Sequence, residues 1–152
     1  MQALSITHKK RIGKWIKALL SGEYQQGTGR LKRDGNYCCL GVACDVYRKT
    51  TKKGRWFRRE DAGDHSFLKA GAQLPEVVSE WFGLDQYDPI VGHTSDGPAR
   101  SNPVGALMAN DNLGWTFAAI GKSVAKIYKI PRAYYETTKG KVHARTKNRN
   151  RG

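Results

Sequence analysis

YCCLGVACDVY, residues 37–47, places apolar or small side chains on nearly every side of a helical wheel. Cys39, Val42, Ala43, Val46 and Tyr47 share one side at helical spacing, with Leu40 and Cys44 beside them. A helix that is apolar almost all round is a buried one, so the fold is read outward from this stretch. Gly41 in its interior costs roughly 1 kcal/mol relative to Ala. Its presence there predicts that another backbone comes close.

On the N-terminal side, Ile12, Trp15, Ile16, Leu19 and Leu20 recur at i, i+3, i+4, i+7 and i+8. This is one apolar stripe of a helix, with Thr7 as the expected cap and Ser21-Gly22 as its end. Asp34-Gly35 between short flanks predicts a tight hairpin turn. Residues 48–73 read as irregular. LPEVVSEWFGL (74–84) predicts a short helix with Pro75 in the first turn, Val77, Val78, Trp81 and Phe82 facing inward, and Gly83 stopping it. Residues 85–105 are rich in Gly, Pro, Asn and Asp and allow one strand at 89–92. TFAAIGKSVAKIYKIP (116–131) gives the last helix, with Phe117, Ile120, Val124, Ile127 and Tyr128 on its apolar face. Thr116 and Asp111 are the expected caps, and Gly114 supplies the turn. The expected architecture is α+β and predominantly helical. It is a single small domain (1–138) of about four helices with a short β-hairpin, followed by a disordered basic tail (139–152).

All three cysteines, Cys38, Cys39 and Cys44, lie in the opening stretch. A zinc site needs four ligands, usually paired two to four residues apart, and C-C-x4-C with isolated His65 and His93 does not supply them. A disulfide between adjacent cysteines is strained. A thiolate at a helix N-terminus is favoured by the dipole, and Cys39, His93 and Asn110 or Asp111 follow the chain order of papain-like thiol hydrolases. The fourth reading, cysteine as a small buried hydrophobe, fits the apolar pattern best. No metal and no cofactor is expected.

The net charge of +14 on 152 residues is the largest anomaly. It is segregated: residues 61–99 carry seven acids against the single Lys69, so the excess lies elsewhere. Lys9, Lys10, Arg11, Lys14 and Lys17 crowd the first helix without an acid between residues 1 and 22. Lys52, Lys53, Arg55, Arg58 and Arg59 come next in a second block; Lys122, Lys126 and Lys129 form a stripe on the last helix. A field of this kind is a statement about partners, and the usual polyanion of a cytoplasm is nucleic acid, DNA or RNA. No run is long or apolar enough for a membrane, and the N-terminus shows no secretory core, so the expected location is cytoplasmic.

Four blocks together resemble a family of small phage- and prophage-encoded proteins: W-x3-L-x-S-G-x-Y-x-Q-G-x-G-x-L (15–31), Y-C-C-L-G-V-x-C-D (37–45), L-P-x-x-V-x-x-W-x-G-L (74–84) and N-D-x-x-G-x-T-F-x-x-I (110–120). The resemblance implies a viral setting, with the host-cell cytoplasm as location, and brings no activity with it. The basic N-terminus, the basic residues 48–59 and the chain past 130 depart from its pattern.

The leading expectation is therefore a small phage-encoded protein that binds nucleic acid mainly through phosphates. Residues 123–139 add a degenerate helix-turn-helix pattern: Val124-Ala125 packed, Lys129 at the turn, Ile130 after it, Tyr135 inward, and Arg132, Tyr134, Thr138 and Lys139 outward. Tyr134, Tyr135 and Trp56 are candidates for stacking on unpaired bases. The alternative is a module that binds a host factor, in an anti-defence or host-takeover role, and the third reading is a cysteine-dependent hydrolase built on Cys39, His93 and Asp111.

Overall fold

The computed structural model describes residues 4–59, 63–95 and 101–136. Helix α1 (Ile6–Leu20) is followed by three two-residue strands, β1 (Gln25–Gln26), β2 (Lys32–Arg33) and β3 (Asn36–Tyr37). Helix α2 (Cys39–Thr51), strands β4 (Trp56–Arg58) and β5 (Asp64–Phe67), and helix α3 (Glu76–Phe82) come next. A hairpin of β6 (Ile90–Ser95) and β7 (Ser101–Gly105), a π-turn (Met108–Asn112), helix α4 (Phe117–Ile127) and a 3₁₀ turn (Arg132–Tyr134) complete the described residues. The protein is a single α+β domain: β1-β3-β2-β5-β4 form a mixed sheet, with only β1 and β3 parallel, and β6-β7 a separate hairpin.

The opening stretch is the centre of this core. Every residue of α2 from Cys39 to Tyr47 is buried, and α2 packs on α1, α3 and β3. A Cβ on Gly41 would overlap the Leu31 carbonyl oxygen, so the close backbone approach is with the residue that enters β2. The hairpin turn is as read: Asp34 and Gly35 both take positive φ, 50° and 82°, and Lys32↔Tyr37 and Arg33↔Asn36 pair across it.

Several local expectations need correction. Ser5, not Thr7, caps α1, its hydroxyl accepting from His8 N at 3.1 Å, because the helix begins at Ile6 and Thr7 is already inside it. α2 runs four residues further than its apolar pattern; Arg48 and Lys49 in its last turn suit the negative end of the helix dipole. Residues 48–73 are not irregular throughout. β4 and β5 are polar at most positions and are held by two inward aromatics, Trp56 and Phe67, whose rings lie 5.1 Å apart. Val77 points outward at 45 % exposure, since a seven-residue helix buries only a narrow stripe, here Val78, Ser79 and Phe82. The single strand expected at 89–92 is the longer β6, whose partner β7 is hidden by the sequence SNPVG. Thr116 caps α4 through Ala119 N, whereas Asp111 accepts from its neighbour Asn110 and caps nothing.

One buried side chain joins these parts. Asn110 is 2 % exposed on the π-turn, and all of its hydrogen-bonding capacity is used. Its Oδ1 accepts from Cys39 N at 3.2 Å and from Gln26 Nε2 at 2.9 Å; its Nδ2 donates to Gly27 O at 2.8 Å and Asp111 Oδ1 at 2.9 Å. Gln26 extends the bracket to the start of α4, donating to Trp115 O and accepting from Phe117 N. Asn110→Ala strands the Cys39 N–H and the Gly27 carbonyl. At about 1–3 kcal/mol per orphaned buried group, urea unfolding should show a loss of at least about 2 kcal/mol. A loss below about 0.5 kcal/mol would mean that water replaces the amide and the bracket is not structural.

Candidate nucleic-acid interface

The first cationic surface is built on α1. Lys10, Lys14 and Lys17 recur at i, i+4 and i+7 and are exposed along the helix face opposite its buried stripe. Lys9 is half-buried. Arg11 is absorbed by the fold: its guanidinium donates to Trp81 O at 2.9 Å and lies 4.6 Å from the Trp81 ring, fastening α1 to α3. Lys14 and Lys17 border a groove of about 230 Å³ between α1 and α2, whose other wall holds Lys49, Val46 and Tyr24.

Beyond that groove lies an aromatic ladder. Tyr24 meets Tyr37 edge-on at 5.0 Å, Tyr37 meets Trp56 at 5.8 Å, and Lys32 Nζ sits 5.1 and 5.4 Å from the Tyr37 and Trp56 rings. Buried Asp45 anchors the ladder from α2. It accepts from Tyr24 Oη at 2.6 Å, Trp56 Nε1 at 3.0 Å and Arg48 Nε at 2.9 Å, with Lys49 Nζ at 3.5 Å. Burial acts to raise the Asp45 carboxyl, but the hydrogen bonds from Tyr24, Trp56 and Arg48 outweigh it and hold the group below its ordinary value. Burial, then the hydrogen bond to Asp45, pushes the Tyr24 phenol well up. Trp56 is therefore committed to the fold by its ring nitrogen and its packing, and it is not an open stacking platform.

The second cationic surface is the segment from Lys52 to Arg59. Lys52, in the left-handed region at φ 62°, ends α2, and Lys52, Lys53, Arg55, Arg58 and Arg59 are all exposed. Phe57 stands among them at 64 % exposure. The third surface is α4, where Lys122, Lys126 and Lys129 are exposed opposite the buried face of Phe117, Ile120, Gly121, Val124 and Ala125.

The helix-turn-helix reading fails at its second helix. The turn is present, since Lys129 accepts φ 54° and buried Ile130 donates back to Ala125 O at 2.9 Å. After it, among the described residues, the chain forms one 3₁₀ turn, and Tyr135 leaves that turn at φ −133°. The 3₁₀ turn lies against α1: a Cβ on Gly13 would come within 2.7 Å of the Tyr134 Cβ, and Lys10 Nζ is 5.9 Å from the Tyr134 ring. A segment docked on α1 is not free to enter a groove. Arg132 is exposed and lies 3.8 Å from Glu136, while Thr138, Lys139 and the tail lie outside the described residues.

The candidate catalytic residues are not assembled. Cys39 has no exposed surface; its amide is held by Asn110 and its thiol donates to Ala106 O at 3.6 Å. Asp111 accepts from Asn110, and His93 is exposed on β6 opposite Pro103. Cys38 is the cap of α2, its sulfur accepting from Gly41 N at 3.4 Å, and Cys44 is fully buried. Burial pushes Cys38 up to about 11 and Cys39 and Cys44 well above the ordinary thiol value, against the favour of the helix N-terminus. Among the described residues no three His, Cys, Asp or Glu side chains converge as a metal site would need, and no helix is long and apolar enough to cross a membrane.

Sequence reasoning passed over Lys32, Tyr24 and Phe57 as contributors to the site. Lys32 was within reach, because a two-residue turn at Asp34-Gly35 fixes it opposite Tyr37. Phe57 needed β4 to be recognised first.

The chain belongs to the family described as a domain of unknown function (DUF8296), which matches residues 8–128 and so contains all four sequence blocks. No curated protein and no solved structure matches it.

The buried thiols give a direct check. A thiol with a pKa of about 11 is ionised to only about one part in ten thousand at pH 7. Native protein should therefore label with iodoacetamide only at the rate at which it opens, and all three cysteines should react together once it is unfolded in urea. Rapid stoichiometric labelling of Cys39 in native protein would restore the hydrolase reading.

Proposed function

We propose that the protein binds nucleic acid, mainly through phosphates, as a small phage-encoded protein of the host cytoplasm. One observation carries this reading: Lys10, Lys14 and Lys17 of α1, the cations of residues 52–59, and Lys122, Lys126 and Lys129 are exposed and, among the described residues, are not spent on internal ion pairs. Among the described residues, the ion pairs within 4 Å use Arg30, Arg33, Arg48, Lys49 and Arg132 instead. An exposed surface serving solubility alone normally mixes signs. The phage setting is supported by the resemblance of the four sequence blocks.

A second reading, docking of a host protein, is favoured by the opposite sign of the α3 side. There Glu76, Glu80 and Asp85 border a cavity of about 410 Å³ with His8. An electrophoretic shift in the presence of DNA or RNA separates the two, since the second reading needs no nucleic acid.

Replacing Lys122, Lys126 and Lys129 together by Gln tests the first reading on exposed side chains that the fold does not need. Each lost phosphate contact removes about 0.7 to 0.9 from the slope of log K against log salt. The triple variant should thus flatten the slope by about 2 to 3 and weaken binding at low salt. An unchanged slope removes this face from the footprint.

A further inference from the structure

We propose that the outer face of the five-stranded sheet binds single-stranded nucleic acid, with an unpaired base stacked on Phe57 and the flanking phosphates held by Arg55 and Arg59. The inference rests on the nucleic-acid reading above and names the ligand class and the place.

Strand alternation sets the geometry. Trp56 turns toward α2, where it donates to Asp45 and packs on Phe67. Phe57 must then point to the opposite side, where it is 64 % exposed and no element among the described residues covers it. Register places Phe57 against Ser66 and Arg58 against His65. Arg59 shares the side of Phe57 by alternation, and its backbone continues the ladder by donating to Asp64 O at 2.8 Å. Arg55, two residues before Phe57, is exposed as well.

The acid of β5, Asp64, is already neutralised. Arg33 pairs with it, and Arg30 Nε lies 3.3 Å from it. Hydrogen bonding from Arg33, then the charges of Arg33 and Arg30, hold its carboxyl below the ordinary range. Glu60 and Asp61 follow in the chain and lie outside the described residues; among the described residues, the exposed charges flanking Phe57 on its own strand segment, Arg55, Arg58 and Arg59, are positive. Tyr87, also exposed, lies between Asp85 and Asp88, in surroundings of the wrong sign for a phosphate chain.

A bare aromatic ring on a rigid strand, bracketed by guanidiniums, has the two components that sequence-tolerant single-strand binding requires: a π-face for a base and cations for its phosphates. A duplex cannot use the ring, because its base faces are already stacked on one another.

The test is fluorescence anisotropy of full-length protein with a labelled oligothymidylate and with a long blunt-ended duplex, at matched salt. Phe57→Ala should weaken oligothymidylate binding about 5- to 150-fold and leave duplex binding and the thermal midpoint unchanged; Phe57→Trp should retain single-strand affinity. Equal single-strand affinity in wild type and Phe57→Ala overturns the site, while the nucleic-acid reading stands if wild-type binding still falls steeply with salt. Equal weakening for both ligands also overturns it, because that would mark a contact other than stacking. Wild type that binds neither ligand removes both readings. Phe57-dependent binding to phosphatidylserine vesicles with no oligothymidylate binding assigns the face to a membrane and overturns the proposal.

Discussion

The backbone of Cys39 is gripped from two sides: its N–H donates to Asn110 Oδ1, and its carbonyl accepts from Trp15 Nε1 at 2.9 Å. This grip fixes the start of α2 against α1 and the π-turn in one step. Gln26 and Gly27 attach β1 to the same asparagine, and Gln26 attaches the start of α4. Each contact is buried or partly buried and pairs a polar group that would otherwise be costly to desolvate. The two helices, the sheet edge and the last helix are thus set relative to one another by a few side-chain amides and one indole. Apolar packing of Ile12, Ile16, Leu40, Val42 and Ile120 then fills the space they define.

That arrangement explains where the charge goes. The core holds few ionisable groups, and its most buried acid, Asp45, is surrounded by donors. The fold uses a limited set of its cations: Arg11 as a fastener to Trp81, Arg48 and Lys49 around Asp45, and Arg30 and Arg33 on Asp64. The exposed lysines and arginines on α1, on residues 52–59 and on α4 raise the positive potential at those faces.

How far the sequence could be read depends on the range of the interactions. The helices were readable because their apolar period is local, and the Asp34-Gly35 turn because φ > 0 at two successive positions is a local demand. β4, β5 and β7 were not, since β4 is only three residues long, β5 is mostly polar and β7 contains proline, and each is held by pairing with another strand. The N-D block illustrates the same limit. Asn110 and Asp111 read as caps or catalytic groups, yet Asn110 serves α2 and β1, many residues upstream, and no spacing rule links them. The cysteines read correctly as core because their environment was written in the apolar residues beside them. Of the site, the cationic blocks were visible as composition, while the distinction between fastened Arg11 and exposed Lys14 and Lys17 required the position of Trp81.

The molecule thus divides into a polar bracket that builds the fold and exposed cationic faces that, on the proposed reading, meet nucleic acid. Lysine acetylation footprinting by mass spectrometry, with and without saturating single-stranded DNA at low salt, tests that division most directly. Lys14, Lys17, Lys52, Lys53, Lys122 and Lys126 should be protected, with amide exchange at Cys39 unchanged. Equal acetylation of these lysines with and without DNA, or a ligand-dependent change centred on the Cys39–Asn110 bracket, would contradict it.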